Sequence, residues 1–510
     1  MKGIRLVIAL SLCLLLVITG CGNNGNDPVN NGKGATDKAS NAGDGGEAAN
    51  NPSELEKVDL VWYFPLPSTQ PDLQTVQDAV NKITLEKINA TVTLKPTDFG
   101  DYDQKMNTVV ASGEKFDIAW TSNWLFFYGP NATKGAFLPL DELLAEHGPE
   151  LKKTMPEFVW DATRINGKIH GIPNYQTVTN REGLIIQKRL VEKYNLDLSA
   201  IKTIKDIEPF LEQVKAGEPD MVPFGMYRTG LGLGMKDNVE YVGGHIIGIN
   251  HDDPYTAIVI PEQPEYKERL SLAREWFNKE LVNRDAATVK NWDDLHKTGK
   301  VAVYSDNVLP PGGEIDVKNR NGGHDVVYAY LSEPYTGTNT IITTMQAISR
   351  TSENPERAMM FINLLNTDKE LYNLISYGIE GKHYEKNGEF VTVNPDAGYN
   401  PSSNWVFGNQ FNAYLIEGQS QAIMDEVKHE NETAKASPLM GFSFNDEKVK
   451  AEIANISALG EQYSPGLGTG ALDVEKKLPE YVEKLKKAGS EKVREEVQRQ
   501  IDEWRAANGK

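Results

Sequence analysis

From Val58 to Trp120 the chain alternates two kinds of hydrophobic spacing, and this alternation restricts the possible folds more than any other stretch. Val58-Asp59-Leu60-Val61-Trp62-Tyr63-Phe64 is a β-branched and aromatic run closed by Pro65 and Pro67, which predicts a buried strand. After Asp72, Leu73, Val76, Val80 and Ile83 recur at helical spacing, and Ala90-Thr91-Val92-Thr93-Leu94 predicts a second strand. A helix through Met106, Val109 and Val110 follows, then a turn at Ser112-Gly113-Glu114 and a third strand, Phe116-Asp117-Ile118-Ala119-Trp120. Strand and helix in alternation imply an α/β fold with a parallel sheet covered by helices. The body from about Glu54 to Lys510 exceeds the size at which a single core stops growing, so at least two lobes are expected. Near the end, Leu478, Tyr481, Val482 and Leu485 share one face, Gly489-Ser490 breaks the run, and Val493, Val497, Ile501 and Trp504 resume it. These predict amphipathic packing helices.

The N-terminus reads as a targeting segment. Lys2 and Arg5 precede an apolar run from Leu6 to Ile18, too short for a membrane span and suited to a signal-peptide core. The run ends in Ile18-Thr19-Gly20-Cys21, an apolar residue and two small ones before a cysteine, the pattern of a bacterial lipobox. Small residues admit the peptidase and the Cys21 thiol takes the lipid, so residues 1–20 are expected to be removed and Cys21 to become the anchored N-terminus. Cys13 lies in the discarded core, so no disulfide can form within the mature chain. The stretch Gly22 to Ser53, rich in Gly and Asn, has Val29 as its only sizeable aliphatic residue and cannot build a core. As a flexible tether (residues 21–55) it would reach about 30 Å from the membrane surface.

Loss of Lys2 and Arg5 takes the formal charge from −19 to −21. A surface this acidic argues against nucleic acid and anionic headgroups as partners. The known catalytic signatures are missing: no His-Glu-x-x-His occurs, His429-Glu430 being followed by Asn431 and Glu432, and Gly418-Gln419-Ser420-Gln421-Ala422 departs from the nucleophile elbow at its last position. Gly230-Leu231-Gly232-Leu233-Gly234 reads as a flexible turn. Carboxylates are abundant, so a glycosidase-like pair is not excluded by sequence.

The order of short signatures resembles the extracellular solute-binding protein family 1, the maltodextrin-binding-like cluster, and within it the LipO-type lipoproteins. The matching segments are ASGEKFDIAW (Ala111 to Trp120), GAFLPLDELL (Gly135 to Leu144), INGKIHGIPN (Ile165 to Asn174), GKVAVYSDN (Gly299 to Asn307), YGIEGKHYE (Tyr377 to Glu385) and EEVQRQIDEW (Glu495 to Trp504). The resemblance implies a two-lobed, periplasmic-binding-protein-like (type II, flytrap) α/β fold with several interlobe crossings, the first near Tyr175 to Glu182 and a return through Ile341 to Arg350. The expected division is 56–178 with 339–378 for the N-terminal lobe and 179–338 with 379–510 for the C-terminal lobe. It also implies no enzymatic activity and no cofactor, and a monomeric receptor that hands a carbohydrate to ABC-transporter permease subunits. Some relatives carry a calcium loop before a Pro-Phe pair; KAGEPDMVPF (Lys215 to Phe224) has no such run, and no metal is expected.

A pyranose offers an apolar C–H face to an aromatic ring and a rim of hydroxyls to paired donors and acceptors. In open α/β lobes the ligand lies beyond the carboxyl ends of the strands. On that basis Thr121, Ser122 and Trp124 after the third strand are candidates, with Trp124 the leading stacking residue, and Tyr63 on the first strand is added. At the first crossing the resemblance points to Tyr175, Asn180 and Arg181; Arg181 suits either a ligand or an interlobe ion pair equally well. From the second lobe it points to Tyr227, Arg228, Asp306, Asn307 and Trp405, with Trp124 and Trp405 expected on opposite lobes; Glu380, in the YGIEG turn, is added as an acceptor for hydroxyls, against a structural role for that turn. Trp62 and Trp120 are expected in the core. A lipid-anchored carbohydrate-active enzyme and a peptide or other small-solute receptor remain the alternatives.

Overall fold

The βαβ opening becomes one flank of a five-stranded sheet. Strand β1 (Val58–Leu66), the helix Leu73–Ile88, β2 (Ala90–Asp98), the helix Phe99–Ser112 and β3 (Ile118–Thr121) follow one another, and β1 pairs in parallel with both β2 and β3. The computed structural model describes residues 55–231, 239–243, 246–289 and 295–510, all within one compact unit; Cys21, the tether and Gly232 to Gly234 lie outside the described residues. The helix Phe99–Ser112 starts where the Asp98 carboxylate accepts from the Gly100 N–H and stops at Gly113, whose φ of 70° lies in the left-handed region that glycine enters without strain.

Two further strands complete the sheet. β4 (Ile172–Pro173) forms an edge, and β13 (Met345–Ile348), arriving much later in the chain, inserts antiparallel between β3 and β4 to give the order β2-β1-β3-β13-β4. The second lobe holds β5 (Gly183–Gln187), β6 (Val222–Phe224), β10 (Val301–Asp306) and β11 (Val326–Tyr330) in the order β11-β5-β10-β6. An antiparallel meander of β7 (Val239–Gly243), β8 (Ile247–Asn250) and β9 (Asp253–Val259) shares its own core with the helices Lys450–Gly468, Val474–Ala488 and Ser490–Asn508. That core joins the second lobe through the helix Pro264–Asn278, which buries Leu270 among the terminal helices and Ala273 and Trp276 in the second-lobe core. Gly489, at φ 101°, makes the break between the last two helices.

Three segments link the lobes. The first spans 174–182 between β4 and β5, the second 331–344 between β11 and β13, and the third runs through the helix Gln421–Thr433 to β14 (Lys435–Ala436). They lie side by side: Asn180 and Tyr335 exchange backbone hydrogen bonds of 2.7 and 2.8 Å, and β12 (Tyr335–Thr336) pairs in parallel with β14. The return expected through Ile341 to Arg350 is therefore displaced, because Met345–Ile348 is already a strand of the first sheet. The boundary at 379 needs correcting as well. Tyr399, Val406 and Phe407 are buried in the first core, where Phe407 packs edge-on to Trp62 and Phe64. A buried polar network secures this excursion. The Asn174 amide donates to the Val406 carbonyl (2.7 Å), the Gln346 amide donates to the same carbonyl (2.7 Å), and Trp62 Nε1–H donates to Gln346 Oε1 (2.9 Å).

The meander is tied to the crossings by one carboxylate. Glu240 Oε2 accepts from the Tyr335 hydroxyl and from Ser437 Oγ (2.6 Å), and His251 Nε2 lies 3.2 Å from it. Burial, and then this carboxylate, push the Tyr335 hydroxyl well above the ordinary tyrosine range.

Candidate functional site

The carboxyl ends of β1, β2 and β3 face the second lobe, and the helix start after β2 and the loop after β3 carry aromatic rings there. Phe99 stacks on Trp124 (6.1 Å between centroids, 20° between planes) and on Trp405 (5.7 Å, 28°), and Trp124 stands 6.3 Å from Trp405. Trp120 supports both tryptophans edge-on from below, at 5.5 and 6.1 Å, and is pinned by its Nε1–H to Thr344 Oγ1 (2.7 Å). Trp124 remains 48% exposed although its Nε1–H donates to the Thr343 carbonyl (2.9 Å), so one edge is fixed while a face stays open.

The loop is held by its own polar residues. Ser122 Oγ accepts from the Trp124 and Leu125 N–H groups (3.1 and 2.8 Å), and Thr121 Oγ1 donates to the Phe126 carbonyl (2.5 Å). Phe126 sits at φ 47°, a backbone state that such packing must enforce on a bulky residue. Thr121 and Ser122, read as ligand contacts, thus position Trp124.

The platform meets an interlobe cavity of about 300 Å³ at Thr343. The first crossing supplies Gln176, Thr177, Thr179 and Asn180 to its wall, and Gln410 and Phe411 come from the excursion that also carries Trp405. The second lobe contributes the loop from Val308 to Gly313, with Val308 44% exposed. Amides, hydroxyls and the Phe411 ring thus line a space between the two lobes, with the stacked platform beside it. A second cavity, about 130 Å³, lies on the other flank of the loop between Asn123 and Phe127 and reaches Glu240 and Tyr241 of the meander.

The remaining candidates disperse. Trp405 belongs to the first core, on the same lobe as Trp124, so the expectation of opposite lobes is corrected. Tyr63 lies buried under the helix Phe99–Ser112, edge-on to Phe116 and hydrogen-bonded to Glu114 (3.0 Å); burial, then Glu114, push its hydroxyl up to about 12. Tyr175 is buried against Phe411 at 5.1 Å. Arg181 is an interlobe element rather than an open guanidinium: it pairs with Glu430 at 2.5 Å and lies 3.6 Å over the Tyr330 ring. Asp306 Oδ1 accepts from the Asn307 and Val308 N–H groups (2.7 and 3.1 Å) and shapes the turn that presents Val308, while the Asn307 carbonyl accepts from Arg181 N–H (3.0 Å). Tyr227 and Arg228 do not line the cavity; Arg228 is paired with Glu461 of the helix Lys450–Gly468. Glu380 sits exposed in a turn that bridges to Tyr384. Sequence reasoning missed Phe99, although it follows the end of β2 as Trp124 follows the end of β3. Among the described residues no group of three His, Cys, Asp or Glu side chains is placed to hold a metal.

Two lobes, three crossing segments and a cleft of aromatic and neutral polar groups define a protein that encloses a solute. Family comparison gives the same answer: residues 66–371 match the profile of the bacterial extracellular solute-binding proteins, and residues 438–506 match a domain of unknown function (DUF3502). A carbohydrate ABC transporter substrate-binding protein of Streptococcus pneumoniae serotype 4 is 32% identical over 453 residues, covering 87% of this chain and 91% of that protein. The polygalacturonan/rhamnogalacturonan-binding protein YtcQ of Bacillus subtilis is 23% identical, covering 75% and 74%. The crystal structure of the N-glycan transport solute-binding protein NgtS of Streptococcus pneumoniae superposes with a TM-score of 0.80 at 30% identity, covering 88% of this chain and 99% of that one. Its complexes with Man1GlcNAc and Man5GlcNAc score 0.72 and 0.69. The chain belongs to the bacterial extracellular solute-binding protein family. It is a binding protein rather than an enzyme, and its family places it outside the cytoplasmic membrane.

Proposed function

We propose that this protein captures an oligosaccharide between its lobes and delivers it to the permease subunits of an ABC importer, working as a monomer tethered to the membrane through lipid on Cys21. The observation that carries the reading is the Trp124–Phe99–Trp405 platform beside a cavity walled by Gln176, Thr177, Thr179, Asn180 and Gln410. Stacked rings suit pyranose faces, and neutral amides and hydroxyls suit their rims. The carbohydrate relatives of similar length support the ligand class. Among the described residues no helix is long and apolar enough to cross a membrane.

The test is a thermal-shift screen of mono- and oligosaccharides against peptides. A ligand at a hundred times its Kd stabilises the folded state by about 2.7 kcal/mol. Stabilisation by mannose- or N-acetylglucosamine-containing oligosaccharides is the expected result. Stabilisation by peptides with no response to any saccharide would replace the reading with a peptide receptor.

A further inference from the structure

We propose that the interlobe surface is selective for neutral glycans and rejects saccharides bearing carboxylates. The inference rests on the carbohydrate reading above and narrows it. Among the described residues lining the 300 Å³ cavity, Asp316 is the one acidic or basic side chain, and in the second cavity it is Glu240; no lysine, arginine or histidine lines either. A uronate needs a cation, best of all a guanidinium that grips both carboxylate oxygens.

The guanidinium at the first crossing is already committed. Arg181 is neutralised by Glu430 and covered by the Tyr330 ring, and its Nε is buried. Lys428 stands 5.0 Å over the Phe411 ring, whose edge reaches the cavity, and is the cation that must be tested separately. Behind the lining stand further carboxylates: Glu426 lies on the helix that presents Ile423 and Val427 to the cavity, beside the Arg181-paired Glu430, and Glu314 precedes Asp316 on the helix Glu314–Arg320. Glu314 and Glu430 are both held above the ordinary carboxylate range, first by burial and further by Glu426, with Arg181 opposing the rise at Glu430. An anionic sugar would thus enter a space with carboxylates on two sides, on a chain of formal charge −19 even before processing.

Isothermal titration of the mature protein decides this with one glycan in two charge states: a neutral mannose/N-acetylglucosamine oligosaccharide that binds, and the same oligosaccharide oxidised to carboxylate at C6. The oxidised form should bind at least about tenfold more weakly. Part of the loss should return in 0.5 M salt, because screening acts on charge and not on shape, and part in Asp316→Asn. Equal or tighter binding of the oxidised form overturns the proposal, as does a loss that neither salt nor Asp316→Asn relieves. If the oxidised form binds tightly and Lys428→Ala abolishes that binding, the site is cationic in effect and the proposal fails. If no saccharide of any kind binds, the carbohydrate reading itself falls, a result distinct from carboxylate tolerance.

Discussion

Trp124 and Trp405 share a platform but not a burial state, and their variants should separate binding from folding. Trp124 is half-exposed and rests on Phe99, so Trp124→Ala should leave the melting temperature nearly unchanged while affinity for the bound glycan falls about tenfold or more. Trp405 packs against the first core, so Trp405→Ala should lower both affinity and stability. Trp62→Ala, which empties a fully buried site bordered by Phe64, Phe361 and Phe407, should cost about 3–5 kcal/mol in urea unfolding. Full affinity in Trp124→Ala would remove the platform from the site. The position of Trp124 was readable because it follows the carboxyl end of a strand, where an open α/β lobe receives its ligand. That of Trp405 was not, since its polar neighbours say nothing about which lobe the excursion visits.

Among the elements, the crossing segments and the terminal helices make distinct claims. Removal of the Glu240 carboxylate leaves the Tyr335 and Ser437 hydroxyls buried without their acceptor, so Glu240→Ala should cost about 1–3 kcal/mol and Glu240→Gln, which keeps an acceptor, less. Unchanged stability in Glu240→Ala would mean that this carboxylate does not secure the meander to the crossings. In the terminal helices Glu496 is held at about 2, chiefly by its hydrogen bond with Arg499, and Glu480 at about 2 by Lys477, Tyr463 and Lys484. Both folded values lie below the ordinary 4.5. The stabilisation they give is therefore complete above that pH and is lost as the pH falls towards about 2. Helical ellipticity followed through acid titration should show this loss, and Glu496→Gln should flatten it. These helices were legible because Leu478, Tyr481, Leu485, Val493, Val497 and Ile501 hold a helical period, and all six are buried. The opening strands were legible for the same local reason. β13 was not, since Met345–Ile348 is a strand only because β3 and β4 stand on either side of it. Of the cavity wall Asn180 was anticipated, but Thr177, Thr179 and Gln410 are ordinary polar residues until the crossings bring them together.

At the scale of the whole molecule, closure and attachment are separate predictions. A saturating glycan should reduce the radius of gyration in solution scattering as the lobes approach over the cavity, and a ligand that stabilises without compaction would argue against hinge closure. Cys21→Ala should move the protein from the detergent phase to the aqueous phase, and unchanged partition would place the anchor elsewhere. The first lobe also sets a schedule. Its first strand, β1, is among the earliest folded residues to leave the ribosome, yet Trp62 must wait for Gln346, 284 residues later, and Phe64 longer still for Phe407. At about 5–20 residues per second that interval is on the order of 15–60 s. The first core therefore stays unfinished until the chain has been made at least as far as Phe407, and a truncation ahead of that residue should leave the apolar faces of β1 uncovered.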